Sequence, residues 1–256
     1  CDTFDLIWGL EVERIRYELP GRLFHALMPP MIRKTLAAFY TRPQAAEILA
    51  RLSIADPEET VFDPACGSGT ILTSAYRQKH RLWDTQGFAG NPHKRFCEND
   101  IFGADIMPFA VHLASANLAA MEPGVTIERT QIVEGDSIRL VPGQRLRSGL
   151  QRELFPLARK AKKMSGEEYE LDLEKVHTVV MNPPFTKVER RIQDYVDMEK
   201  FKVMLGGEVG LWAHFLLLAD EFLDDGGVCG AVVPINLLRG RESVQVRDFV
   251  FSAWTP

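Results

Sequence analysis

The sequence has few cysteines, no long apolar run and no overall excess of positive charge. Its four cysteines lie far apart and form no C-x-x-C pair, so neither a zinc site nor a disulfide framework is indicated. No apolar stretch approaches the ~20 residues that a membrane span requires. We therefore expect a protein without a bound metal and without a membrane partner, in a reducing compartment such as the cytoplasm.

The formal net charge of the 256 residues is −5, whereas a stand-alone DNA-binding protein usually has a basic surface. Positive charge is concentrated in residues 145–163 and 187–191. For the first of these stretches, ordinary solvated surface charge is the better interpretation. If the protein acts on DNA, we expect a further segment or a partner to provide most of the binding to DNA.

Short apolar segments alternate with helical patterns along most of the chain. Strands are predicted at residues 60–63, 101–104, 130–134, 177–181 and 228–233. Helices are predicted after Pro43 and at residues 70–78, 108–121 and 211–223. Such alternation is typical of an α/β fold, a parallel sheet with helices on both faces. Residues 80–100 and 139–175 interrupt the pattern, and we expect them to be long polar connections.

Two regions are distinguished along the chain. Residues 1–35 have near-helical spacing of apolar side chains and form a predicted N-terminal helical segment, and residues 36–256 form the predicted main domain. The chain starts at Cys1 without a methionine and stops at Pro256. We treat it as a region excised from a longer protein.

Unusual polar residues follow the predicted strands at their carboxyl ends, which is where ligands bind in parallel sheets. The first set is the string 63–69, Asp-Pro-Ala-Cys-Gly-Ser-Gly, before a helix. Glycines let a backbone approach a ligand closely, and a helix N-terminus attracts an anionic group. No Gly-Lys-Ser/Thr follows, so a nucleotide phosphate loop is not indicated. Asp63 suits a ligand with an ammonium group, such as S-adenosylmethionine, which has an ammonium, a carboxylate and no phosphate.

The next two strands end in Asp105 and in Gly135-Asp136-Ser137. A carboxylate at the tip of a second strand commonly accepts ribose hydroxyls, and Ile106 beside it can cover one face of an adenine. The alternative for Asp105 is an N-cap of the following helix, and the two interpretations are equally favoured. Asp136 can accept a hydrogen bond from the adenine amine of the cofactor, although a plain turn is the better interpretation of that tripeptide alone.

The fourth set, Asn182-Pro183-Pro184-Phe185, has the composition of a reaction site. An exocyclic aryl amine is a poor nucleophile, because its lone pair is delocalised into the ring. The Asn182 side-chain oxygen and the Pro183 carbonyl can each accept a hydrogen bond from this amine and so localise its lone pair. Consecutive prolines fix the backbone, which aims these acceptors in advance. Phe185 offers a face on which a flipped-out base can stack.

Taken together, these motifs resemble N6-adenine DNA methyltransferases of the gamma arrangement. The resemblance covers about residues 36–250 and extends to modification subunits of type I restriction systems and to fused restriction-modification methylases. It implies a Rossmann-like S-adenosylmethionine-dependent methyltransferase sheet, double-stranded DNA with a flipped adenine as substrate, and a specificity subunit or fused target-recognition domain as partner. It also implies that a final β-hairpin and the target-recognition domain lie beyond Pro256.

The resemblance also assigns roles to individual residues. Tyr40 and Thr41 are expected at the methionine end of the cofactor, although Arg42 separates Thr41 from Pro43 where relatives have Thr followed directly by Pro. The remaining cofactor-binding residues that it implies are Asp63, Ala65, Gly67, Gly69, Asp105, Ile106, Asp136, Ser137 and Asn182. The catalytic residues that it implies are Asn182, Pro183, Pro184 and Phe185.

Two other functions stay open at this point. One is methylation of a different amine, either a protein glutamine or an RNA base, by an enzyme with the same two motifs. The other is a non-catalytic fragment that only binds the cofactor. The segment around Tyr40 and the long insertions favour DNA.

Overall fold

The structure is a computed structural model that describes residues 41–146, 171–185, 196–206 and 209–254. The predicted helical segment 1–35, Tyr40 and most of the predicted connection 139–175 lie outside the described residues. Within the described ranges, no helix is both long enough and apolar enough to cross a lipid bilayer.

The described ranges contain seven strands and eight α-helices. The strands are β1 (Val61–Asp63), β2 (Ile101–Asp105), β3 (Gln131–Glu134), β4 (Gln144–Leu146), β5 (Leu171–Leu173), β6 (Val176–Met181) and β7 (Leu223–Ala231). The helices are α1 (Pro43–Ser53), α2 (Thr70–Thr85), α3 (His93–Arg95), α4 (Pro108–Ala119), α5 (Lys202–Leu205), α6 (Leu211–Phe222), α7 (Asn236–Arg239) and α8 (Val244–Ala253). A π-helical turn (Phe96–Asp100) precedes β2, and a 3-10 turn (Ser137–Arg139) follows β3.

Five strands form one parallel sheet in the order β3-β2-β1-β6-β7, which confirms the predicted α/β fold. The short strands β4 and β5 pair antiparallel and form a separate ribbon. The strand order changes direction between β1 and β6. In open parallel sheets such a switch point leaves a crevice at the carboxyl ends of the two strands. Asp63 ends β1 and Asn182 directly follows β6, so both lie at this crevice.

Successive residues of the central strands point to opposite faces, and both faces are covered by helices. One face packs against α1, α2 and α4 and includes Val61, Ile101, Ile132 and Val180. The other face packs against α6 and includes Phe62, Phe102, Val133 and Val179. Strands buried on both sides have continuous apolar sequences, and for this reason they could be recognised without alternating polarity.

Two predicted boundaries were wrong. Helix α2 continues to Thr85, and residues 93–100 are helical, so the stretch 80–100 is not an irregular connection. Near the C-terminal end of α2 the polar residues Arg81, Asp84 and Thr85 are exposed. Trp83 packs against Phe88 and Phe96, with ring centroids 4.7 and 5.9 Å apart. Strand β7 starts at Leu223, before the predicted strand 228–233, and bulges out between its pairings at Leu223 and Val228.

Gly69 determines how closely α2 can approach α4. Its φ of +83° is left-handed, and an added Cβ would lie 3.0 Å from the Cα of Ala114 in α4. The backbone N–H of Gly69 also closes the preceding turn by donating to the carbonyl of Cys66 at 2.8 Å. Gly69 therefore packs one helix against another, in addition to any contact with a ligand.

We predict that Gly69→Ala lowers the free energy of unfolding by about 2–4 kcal/mol, because left-handed strain of ~1–2 kcal/mol adds to an overpacked contact. Gly87→Ala is the matched control, since its φ is +76° but an added Cβ meets nothing within 4 Å. Chemical denaturation of both variants separates strain from packing. Equal losses would contradict the packing role of Gly69.

Candidate active site

The Asp63 carboxyl group at the end of β1 is fully buried, with 0% of the residue exposed. Its Oδ1 accepts the backbone N–H of Ala65 at 2.9 Å. Its Oδ2 is buried and has no hydrogen-bond partner among the described residues. Burial raises the pKa of Asp63 to about 8, helped by the nearby negative charge of Asp105 and opposed by the bond from Ala65. The site thus contains a buried carboxyl group whose ionised form a cationic ligand would favour.

The loop after β1 is tied to the end of β2. Asp105 Oδ2 accepts the backbone N–H of Gly67 at 2.9 Å, and its Oδ1 accepts the N–H of Met107 at 2.8 Å. Burial raises the pKa of Asp105 as well. The alternative prediction, that Asp105 is the N-cap of α4, is close to this geometry. Asp105 accepts the N–H of the N-cap residue, which is Met107. The carboxylate therefore organises the loop, and whether it also holds a ribose stays a prediction.

Gly67 leaves open space above the loop. Its φ is +52°, and an added Cβ would meet nothing within 4 Å. Ala65 and Ile106 flank this space as half-buried side chains that pack against the core under α6. A small ligand can therefore approach the backbone of the loop from this side.

The end of β3 is held by a second set of bonds. Ser137 Oγ donates to the carbonyl oxygen of Pro64 at 2.6 Å, which joins this strand end to the loop after β1. Asp136 Oδ1 accepts the N–H of Ile138 at 3.1 Å, and its Oδ2 accepts the N–H of Asp197 at 2.7 Å. Ser137 is thus a structural link, and its predicted cofactor contact is untested.

Two neighbours of Asp136 were not found from the sequence. Arg139 Nε lies 3.4 Å from Asp136 Oδ2, and Asp197 comes from a segment 61 residues further along the chain. Burial raises the pKa of Asp136, while its two backbone donors and Arg139 oppose that shift. Arg139 had a local signal, since it lies one turn after Asp136, whereas no local pattern pointed to Asp197.

The segment after β6 places the Asn182 amide at the crevice. Its Nδ2 donates to Thr41 Oγ1 at 2.9 Å. Its Oδ1 is buried and has no hydrogen-bond partner among the described residues. Pro183 is buried, and Phe185 is half-buried against the core under α6. The predicted tetrapeptide therefore forms a rigid exit from the strand, with one free acceptor.

The geometry thus brings most of the predicted residues to one edge of the sheet. Asp63, Gly67, Asp105 and Ser137 belong to one bonded network, and Thr41 and Asn182 form a bonded pair on the neighbouring strand. The ends of β1, β2 and β3 bring the carboxyl groups of Asp63, Asp105 and Asp136 to this edge, which favours a ligand with an ammonium and disfavours a phosphate. Tyr40 lies outside the described residues.

A parallel sheet of this order, with acidic residues at the strand ends and an Asn-Pro-Pro-Phe exit, defines the Rossmann-like methyltransferase class. The chain belongs to the N-6 DNA Methylase family, whose model matches residues 31–251.

Three relatives illustrate the likeness. The adenine-specific methyltransferase BrxX of Escherichia coli O9:H4 (strain HS) is 33% identical over 103 residues, covering 37% of this chain and 8% of BrxX. The M protein of the type I restriction enzyme EcoKI is 22% identical with a TM-score of 0.52, covering 83% of this chain and 37% of that protein. DrdV, solved in complex with DNA, is 13% identical with a TM-score of 0.57, covering 90% of this chain and 24% of DrdV. The chain therefore spans well under half the length of each relative.

The raised pKa of Asp63 predicts a pH-dependent stability. The folded chain holds a proton on this carboxyl up to about pH 8, whereas the unfolded chain releases it near pH ~4. The folded state binds more protons in this window, so its stability falls as the pH rises from about 4 to 8. We expect Asp63→Asn, which does not titrate, to lose less melting temperature than wild type between pH 5 and 8.

Thermal melts of the ligand-free chain at several pH values measure this difference. Asp248→Asn is the matched control, because its carboxyl is exposed on α8 and its removal should leave the wild-type pH profile unchanged. Parallel profiles for wild type and Asp63→Asn would contradict the assignment of a buried proton to Asp63.

Proposed function

We propose that this chain is the catalytic region of a DNA methyltransferase that transfers a methyl group from S-adenosylmethionine to N6 of adenine. We further propose that the whole protein acts in a restriction-modification system. The observation that carries the proposal is the buried Asn182 Oδ1 at the carboxyl end of β6, an acceptor for which the described residues offer no donor. Membership of the N-6 DNA Methylase family supports the choice of adenine and DNA.

The residues at the end of β1 fit S-adenosylmethionine. Asp63 Oδ2 is a buried acceptor that the ammonium of the methionine end would satisfy, and Gly67 leaves room for the ligand at the loop. Helix α2 begins directly after this loop, and the positive end of its dipole would favour the carboxylate of S-adenosylmethionine. Asp105 would accept hydrogen bonds from the ribose hydroxyls of the cofactor, and Asp136 would accept one from its adenine amine. Ile106 would lie against the adenine ring. When bound, the cofactor supplies an electrophilic methyl group.

Asn182 and Pro183 would prepare the amine for attack. An exocyclic amine has two N–H groups. One would donate a hydrogen bond to Asn182 Oδ1 and the other to the Pro183 carbonyl oxygen. These bonds draw the nitrogen toward tetrahedral geometry and localise its lone pair. Both acceptors belong to a short segment that two prolines rigidify, so little reorganisation is needed in the transition state. An amide is not a general base, and the proton leaves to water after methyl transfer.

The target base has to leave the double helix to reach this crevice. Phe185 would stack on the flipped adenine, and such stacking is worth ~1–3 kcal/mol per base, which offsets much of the cost of unstacking. The net charge of −5 provides little general attraction to DNA. We therefore propose that a specificity subunit or a fused target-recognition domain of the whole protein supplies most of the binding to DNA.

Transfer of a labelled methyl group tests the proposal directly. We expect the full-length protein to label DNA, and nucleoside analysis to place the label on N6-methyladenine. Asn182→Ala should keep its affinity for S-adenosylmethionine by calorimetry and lose about 100- to 1,000-fold in methyl transfer, because one preorganised transition-state contact is removed.

Asn236→Ala is the matched control, since this asparagine is exposed in α7 and its side chain bonds the exposed Glu242. Label that appears only in protein or RNA would show that DNA is not the substrate. Near-normal transfer by Asn182→Ala would refute the two-acceptor mechanism, and cofactor binding without any transfer would favour a non-catalytic role.

A further inference from the structure

We infer that Thr41 is a positioning residue for methyl transfer, which orients the Asn182 amide so that its oxygen, and not its amino group, faces the target amine. The inference rests on the proposed function of Asn182. The contact that carries it is the hydrogen bond from Asn182 Nδ2 to Thr41 Oγ1, 2.9 Å long, between residues 141 positions apart.

The orientation matters because the two ends of an amide do opposite things. The oxygen accepts hydrogen bonds and the NH2 group donates them. Rotation of the Asn182 amide by half a turn would direct its NH2 group at the target amine, where it would repel the amine hydrogens. The bond to Thr41 holds the NH2 group on the side of α1 and leaves Oδ1 as an acceptor without a partner among the described residues.

Thr41 can perform this task because the backbone around it is fixed. Pro43 starts α1, and the residue before a proline is held extended; Arg42 has φ −65° and ψ 135° accordingly. Arg42 is the N-cap residue, and its carbonyl accepts the N–H of Ala46 at 3.1 Å. Thr41 therefore stands just outside the helix.

Helix α1 in turn is fixed against the strand that carries Asn182. Ala46 and Ala50 are both fully buried, and they pack with Val61 of β1 and Val180 of β6 in one apolar cluster. Val180 lies two residues before Asn182. The start of α1 and the end of β6 are therefore parts of one packed unit, and Thr41 meets Asn182 without a flexible linker between them.

This role differs from the cofactor contact that the sequence implied for Thr41. A Thr41 hydroxyl that donates its one hydrogen to the cofactor can only accept from Asn182, so both contacts can coexist and the first strengthens the orientation. The two roles separate in kinetics. Loss of a cofactor contact raises the KM for S-adenosylmethionine, whereas loss of orientation at Asn182 lowers kcat.

A spectroscopic experiment tests the orientation without cofactor or DNA. The chain has only five asparagines, Asn91, Asn99, Asn117, Asn182 and Asn236, so labelling with 15N-asparagine gives few side-chain signals. Asn182→Asp identifies the Asn182 signal by its loss. We expect Thr41→Val to speed the exchange of the Asn182 amide protons with water roughly 3- to 10-fold, the effect of one neutral hydrogen bond, and Thr41→Ser to retain the wild-type rate.

Kinetics of the full-length protein complete the test. We expect Thr41→Val to lower kcat for methyl transfer roughly 10- to 100-fold at saturating S-adenosylmethionine, and Thr41→Ser to restore most of the rate. Unchanged amide exchange in Thr41→Val, or a raised KM with normal kcat, would overturn the inference. A wild-type protein that does not methylate DNA would instead refute the proposed function, and the exchange rates would still decide the orientation of Asn182.

Discussion

Two buried side-chain oxygens without a hydrogen-bond partner among the described residues are the constraint on which the carboxyl edge of this sheet depends. Asp63 Oδ2 and Asn182 Oδ1 follow adjacent strands at the switch point of the strand order. A buried polar atom without a partner is unfavourable by about 1–3 kcal/mol, so a ligand that supplies the missing partner removes that penalty when it binds. Here each acceptor has the chemistry that one part of a methyl transfer needs. An ammonium would satisfy Asp63, and an exocyclic amine would satisfy Asn182.

The surrounding bonds hold these acceptors in place without satisfying them. Asp105 fixes the loop after β1 through the N–H of Gly67, and Ser137 fixes the same loop through the carbonyl of Pro64. Thr41 occupies only the NH2 end of Asn182. The packing of α1 and α2 on the sheet keeps these anchors rigid. The fold thus gives up stability at two atoms and secures their positions with ordinary hydrogen bonds between loops, which is how a binding site is organised before its ligand arrives.

The order of elements and the strand-end residues could be predicted from the sequence, because buried parallel strands are short apolar runs and because their carboxyl ends necessarily meet at one edge. Asp63, Asp105, Asp136 and Asn182 were found in this way. The contacts that determine their state could not be predicted, since Thr41 reaches Asn182 and Asp197 reaches Asp136 across long stretches of chain. The end of α2 was misjudged for another reason. Its exposed polar face resembles a loop, and only the packing of Trp83 shows that the helix continues.

The proton balance of cofactor binding tests the central claim that Asp63 is the acceptor for the ammonium of S-adenosylmethionine. Burial raises the pKa of Asp63 to about 8, so its carboxyl is protonated at pH 6.5 in the free chain. An ammonium placed against it favours the ionised form. Calorimetric titration in buffers with different heats of ionisation should therefore show release of about one proton per cofactor at pH 6.5, and no such release for Asp63→Asn. Cofactor binding to wild type without release of a proton would contradict the assignment.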